Sequence, residues 1–332
     1  MRLLSALAAA SLSAVADAQV WGTQGSWQLI VPSPNSFAPR LGLQHAAFVP
    51  GTLLVMGNGT LGQTNDLDIY KFNIAENTWT APYDYVPNPV VQVPFLFTYG
   101  GIAVIVDEQA PNVLAMIDTN AADNSGWQRI ACTGAPIGRV AQRFLVWGSS
   151  LFMFGGFNPT NVPPTQSNDM YVLDLAAAIT QPASGVTWTL VSPPVDATGF
   201  VPGYPPARVG YSWTPFDIGS LMYGGLSYDA PGGDPFAQCL FVPRNATPDP
   251  NCHWHENLWG LLPSYTAAGV VPATAWFRLA NAGSFGGPTP VGRVLHSSGR
   301  MGNQLVSRPS TQNPGPRRPH SKSLTTATAL YP

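Results

Sequence analysis

Hydrophobic residues in this chain fall in short runs broken by Gly, Pro, Asn and Asp, with no sustained helical period. Leu53–Met56, Asp68–Phe72, Ala103–Val106, Val113–Ile117, Leu151–Phe154 and Tyr171–Leu175 are examples. Short runs of β-formers bounded by turn residues predict strands. Leu175–Ile179 has the only helix-like composition, and it is short. The pattern therefore predicts an all-β protein of many short strands.

The runs repeat. One copy reads Pro136-x-x-Arg139, Leu151-Phe-Met-Phe-Gly155-Gly156, Asn168-Asp-Met-Tyr-Val-Leu-Asp174 and Trp188. A later copy reads Pro206-x-Arg208, Leu221-Met-Tyr-Gly224-Gly225, Asn257-Leu-Trp and Trp276, with a long insertion between its second and third strands. An earlier one reads Pro39-Arg40, Leu53-Leu-Val-Met-Gly57, Asn65-Asp-Leu-Asp-Ile-Tyr70 and Trp79. Between them lies a degenerate copy with Val113–Ile117 and Trp127. It lacks the Arg, and its Gly100-Gly101 falls between the first two strands. A last copy opens with Pro290-x-x-Arg293 and then loses the pattern. Such a repeat means several small sheets packed side by side, not one doubly wound sheet.

These residues resemble the kelch repeat, over roughly residues 27 to 305. The resemblance implies a kelch-type β-propeller of four-stranded blades. About four full blades plus a partial fifth are expected, in a ring that is not fully closed. Trp27, in Ser26–Ile30, is expected to supply the fourth strand of the blade begun at Arg293, which would cover exposed sheet edges. Physical roles for the repeated residues are structural. Each Arg (Arg40, Arg139, Arg208, Arg293) can satisfy carbonyls with its fork of donors. The diglycines Gly155-Gly156 and Gly224-Gly225 permit positive φ and close backbone approach. Trp79, Trp127, Trp188 and Trp276 fill the space between blades.

Residues 1–18 read as a secretory signal peptide: Arg2, an apolar stretch from Leu3 to Val15, then Ala16-Asp17-Ala18. That stretch is too short for a bilayer span. The propeller is assigned to residues 19–306. Residues 307–332 are Pro- and Arg-rich, low in complexity, and read as a disordered tail. No later segment qualifies as a membrane span. Export permits disulfides. Cys239 and Cys252 lie in one insertion and could close a short loop, leaving Cys132 odd, with other pairings open. Asn58-Gly-Thr and Asn245-Ala-Thr are glycosylation sequons, the second weakened by Pro248.

Charge narrows the partners. Charged residues make up only 10%, the net charge is −2, and lysine occurs only at Lys71 and Lys322. A chain without a basic stripe does not bind nucleic acid through phosphate neutralisation. The most reactive-looking segment is Cys252-His253-Trp254-His255-Glu256. On a strand His253 and His255 share a face, and Asp249 could add a third group. Zinc takes three or four ligands, so two imidazoles fall short. Neither a metal nor another cofactor is expected, and no nucleophile elbow or phosphate loop is present.

The expected function is therefore binding. A secreted propeller would present rim loops, above all Ser227–Glu256 and Asn158–Ser167, to a protein or glycan. One alternative is a fragment of a galactose-oxidase-like copper radical oxidase. The Tyr, His and Cys set that resemblance implies cannot be placed residue by residue on this chain. Another is an ectodomain fragment of a larger cell-surface protein.

Overall fold

The structure is a computed structural model that describes residues 43–57, 69–79, 94–108, 110–120, 126–136, 138–161, 163–191, 204–217, 219–230, 233–240, 249–264, 273–279, 293–294, 297–301, 304–308, 311–312 and 325–328. The signal segment, Ser26–Ile30, Arg40, Asn58 and Asn245 lie outside them, as does the side chain of Arg293. The chain divides into two compact units, Met1–Asp107 with Pro111–Ala131, and Glu108–Ala110 with Cys132–Pro332.

The first unit contains two antiparallel meanders. The first runs Leu43–Val49, Thr52–Gly57, Ile69–Asn73 and Thr78–Trp79; the second runs Pro94–Tyr99, Ile102–Asp107, Val113–Asp118 and into Gln128–Thr133. Strand alternation sends neighbouring residues to opposite faces. Leu54, Met56 and Ile69 accordingly pack against Leu96, Ile105 and Ile117 of the second meander. Leu53, Val55, Tyr70, Phe72 and Trp79 form a separate cluster. Thr98 Oγ1 donates to Phe48 O at 2.8 Å, and Lys71 Nζ to Thr119 O at 2.8 Å, which ties the two sheets together. Gly100-Gly101 turns the chain between strands, with φ of +57° and +84°.

The second unit holds two further four-stranded meanders. One is Arg143–Trp147, Ser150–Phe154, Met170–Asp174 and Thr189–Val191; the other is Ser212–Phe216, Gly219–Tyr223, Leu258–Ser264 and Ala273–Leu279. We call them blades 3 and 4. A three-stranded sheet follows: Ser297–Met301, Gln304–Arg308 and Thr325–Thr328. The chain beyond residue 306 thus contributes a strand. The helix-like run forms a single short helix, Leu175–Thr180, because Asp174 accepts from Ala177 N at 2.9 Å and caps it.

Blades 3 and 4 share an aromatic core. Phe152, Phe154, Met170 and Val172 meet Trp213, Met222, Trp259, Leu261 and Trp276. The Phe154 ring lies 5.5 Å from Trp276, 5.8 Å from Tyr211 and 6.0 Å from Tyr204. Trp213 stacks on Trp276 at 5.9 Å. Each such pair contributes about 0.5–1.5 kcal/mol beyond its buried area. Polar tips reach backbone across the interface: Tyr211 OH donates to Phe154 O at 2.6 Å and Trp147 Nε1 to Phe216 O at 3.0 Å. Burial pushes the Tyr211 phenol up, so it stays a neutral donor.

Candidate functional site

The site grows out of two equivalent corners. In blade 3, Arg139 Nη1 donates to Gly155 O at 3.4 Å; in blade 4, Arg208 Nη1 donates to Gly224 O at 2.9 Å. Both contacts span 16 residues. The next residue forms a bridge beyond each diglycine, Val140 with Phe157 and Val209 with Leu226. Glycine is required here. Gly155 and Gly225 have φ of +69° and +98°, and a Cβ would sit 2.9 Å from Arg208 O or 3.0 Å from Val209 O. The blades are stitched at this point, where Gly156 N donates to Arg208 O at 3.2 Å.

A short hairpin leaves each diglycine. Phe157–Asn158 pairs with Thr165–Gln166, and Leu226–Tyr228 pairs with Cys252–Trp254. Gln166 joins them: its Nε2 donates to Tyr228 O at 2.7 Å and its Oε1 accepts from Tyr228 N at 3.3 Å. The side-chain amide thereby imitates a neighbouring strand. Asn158–Ser167 and the blade 4 insertion consequently lie side by side.

The insertion has its own packing. Asp234 Oδ1 accepts from Phe236 N and Ala237 N, starting the wide helical turn Phe236–Leu240. That turn brings Cys239 to Cys252, and the two form a disulfide. Phe157, Val209, Leu226 and Cys239 make a buried floor, with Tyr228, Phe236, Leu240 and Trp254 against it. Asp249 accepts from Tyr228 OH at 2.9 Å and from Asn251 N at 2.9 Å. The Asn251 backbone bond, then the Tyr228 hydroxyl, hold its carboxyl below the usual range. The same hydroxyl–carboxylate bond pushes the Tyr228 phenol up. The capped turn and apolar floor give the described part of the insertion, residues 227–230, 233–240 and 249–256, a packing of its own. The Asp234 cap two residues before Phe236 was the signal that sequence reading missed.

The two histidines have separate partners. His253 pairs with the exposed Asp229 carboxylate at 2.9 Å. His255 Nε2 hydrogen-bonds the Ser227 hydroxyl at 3.0 Å. Burial, reinforced by the charge of Arg208, lowers the His255 pKa to about 2, so this ring is neutral. Among the described residues no group of three or more His, Cys, Asp or Glu side chains is placed to hold a metal. Cys132 is buried and lies outside the disulfide. Trp79, Trp188 and Trp276 are buried, and Trp127 packs half-buried against the core of the first unit.

The sheets, corners and diglycines define a kelch-type β-propeller of four-stranded blades. The chain is similar to the structure of YjhT, with a TM-score of 0.52 and 13% identity, over 88% of this chain and 84% of that one. It is also similar to Host cell factor of Drosophila melanogaster, at 24% identity over 304 residues, 84% of this chain. That alignment spans 17% of Host cell factor. No protein-family model matches the chain.

Proposed function

We propose that this protein is a secreted kelch-type binding module that engages a protein or glycan through the joined hairpins of blades 3 and 4. The observation that carries the reading is the Gln166–Tyr228 splice, which makes two loops from different blades one pre-organised surface. Pre-organisation lowers the entropy lost on binding. The surface is polar at its edge, where Asn158, Thr160, Asn161, Asp229 and His253 offer both donors and acceptors. The disulfide supports export, because such bonds persist in oxidising compartments. Among the described residues no helix is long and apolar enough to cross a membrane.

Glycan arrays and cross-linking against extracellular proteins, run with the wild type and with an Asn161→Ala, Asp229→Ala, His253→Ala variant, test this. The variant is expected to stay folded and to lose the partner. Equal binding by both proteins would place the contact elsewhere.

A further inference from the structure

The corners of blades 3 and 4 match in backbone register and differ in charge. Met170 pairs with Phe154, and Leu258 pairs with Tyr223; Phe154 and Tyr223 each immediately precede a diglycine. Ser167 N donates to Gly156 O at 3.0 Å, just as His255 N donates to Gly225 O at 2.9 Å. Both correspondences put Asn257 where blade 3 has Asp169. Asp169 Oδ2 is the counter-charge of Arg139, at 2.7 Å. Asn257 is neutral, and its Oδ1 is taken by Arg278 Nη2 at 2.7 Å.

Among the described residues, Arg208 is left with a charge and no carboxylate. It is 0% exposed, its Nε and Nη1 donate only to the carbonyls of Pro206 and Gly224, and its Nη2 is buried without a hydrogen-bond partner. The side chains that act on it electrostatically are Tyr211 and the cationic Arg278. Burial chiefly lowers its pKa, to about 9, which leaves it charged at neutral pH. A buried ion is tolerated when paired and hydrogen-bonded.

We propose that Arg208 and Arg278 bind one carboxylate-sized anion, held by Arg208 Nη2 beside Asn257, the residue that stands where blade 3 has Asp169. The ligand chemistry is a single carboxylate, either a free small acid or the acid group of a larger ligand. Arg–carboxylate hydrogen bonds are short, directional and strong, which suits an orphaned guanidinium N–H.

The test is thermal unfolding of the full chain in rising sodium formate, with sodium fluoride keeping ionic strength constant. Wild type is expected to show a saturable rise in midpoint. Asn257→Asp, which builds the missing carboxylate into the chain, is expected to unfold about 3 °C or more above wild type without formate and to respond little to it. Arg278→Gln is expected to raise the half-saturating formate concentration about tenfold, the factor for one charge-assisted hydrogen bond. Gluconate in place of formate separates the sources: a matching response means that the acid group of a larger ligand fits, and a response to formate alone means a small free acid. No saturable response in wild type overturns the proposal, and so do identical responses in wild type and Asn257→Asp. If Asn257→Asp does not fold, an unchanged half-saturation in Arg278→Gln overturns it instead.

Discussion

Arg139 and Arg208 do the same backbone job in adjacent blades and live in opposite electrostatic settings. Arg139 has a carboxylate partner, a Tyr171 ring 5.7 Å from its guanidinium carbon, and a side chain that is 13% exposed. Arg208 is sealed in, beside a neutral His255 and a second arginine. The repeat therefore preserves the donor aimed at the diglycine carbonyl and lets the counter-charge drift. What a blade needs from its arginine is a fixed fork of N–H groups; the ion pair is an addition.

The largest expected effect separates the two arginines. Arg208→Ala empties a fully buried volume and strips two carbonyls, so a loss of about 3 kcal/mol or more is expected in urea unfolding. Arg139→Ala should cost about 1 kcal/mol, because its ion pair is partly solvated. Equal losses would mean that burial is not what distinguishes the corners. Replacing Cys239 and Cys252 by Ser should cost about 2–3 kcal/mol by loosening the blade 4 insertion. The blade 3 corner, which has no disulfide, should keep its protection in hydrogen exchange.

Gly156→Ala and Gly225→Ala should each cost about 1–3 kcal/mol, since both combine positive φ with a Cβ against backbone oxygen, Val140 O at 3.2 Å and Val209 O at 3.0 Å. Similar values would show that the diglycine role is common to both blades. Asp169→Asn gives blade 3 the polar pattern of blade 4, and about 1 kcal/mol is expected for removing a half-exposed carboxylate.

The acid effect differs in kind, because it is a slope with pH and not a fixed loss. His255 has a folded pKa of about 2, below the ordinary 6.5. The unfolded chain therefore takes up a proton that the folded chain refuses. Its contribution to stability is complete above about pH 6.5 and falls away as pH drops towards 2, by at most about 1.4 kcal/mol per unit. His255→Ser, which copies Ser167 of blade 3, should flatten stability between about pH 6.5 and 4. An unchanged acid limb would show that the ring is protonated in the fold.

The blades were legible because their signals are local. Diglycines, motif arginines and alternating strands each lie within a few residues, so Leu151–Phe154 and Leu221–Tyr223 appear where the pattern puts them. Register was harder. Reading both third strands as Asn-led aligns Asn168 with Asn257, yet the pairing with Phe154 and Tyr223 shifts Asn257 onto Asp169. One residue of slip concealed the missing carboxylate, since strand identity depends on cross-strand partners that a single sequence does not display. The Gln166–Tyr228 splice spans 62 residues and carries no motif. The disulfide was one of several open pairings until the Phe236–Leu240 turn brought its ends together.

The central claim is that two hairpins from different blades form one preformed surface. Hydrogen exchange of the free protein, residue by residue, tests it most directly. Tyr228 N–H should be protected in wild type and lose that protection in Gln166→Ala, while Leu226 N–H, held by Val209 O at 3.0 Å, stays protected in both. Exchange of Tyr228 at the rate of an unstructured peptide in wild type would contradict the account and leave two independent loops.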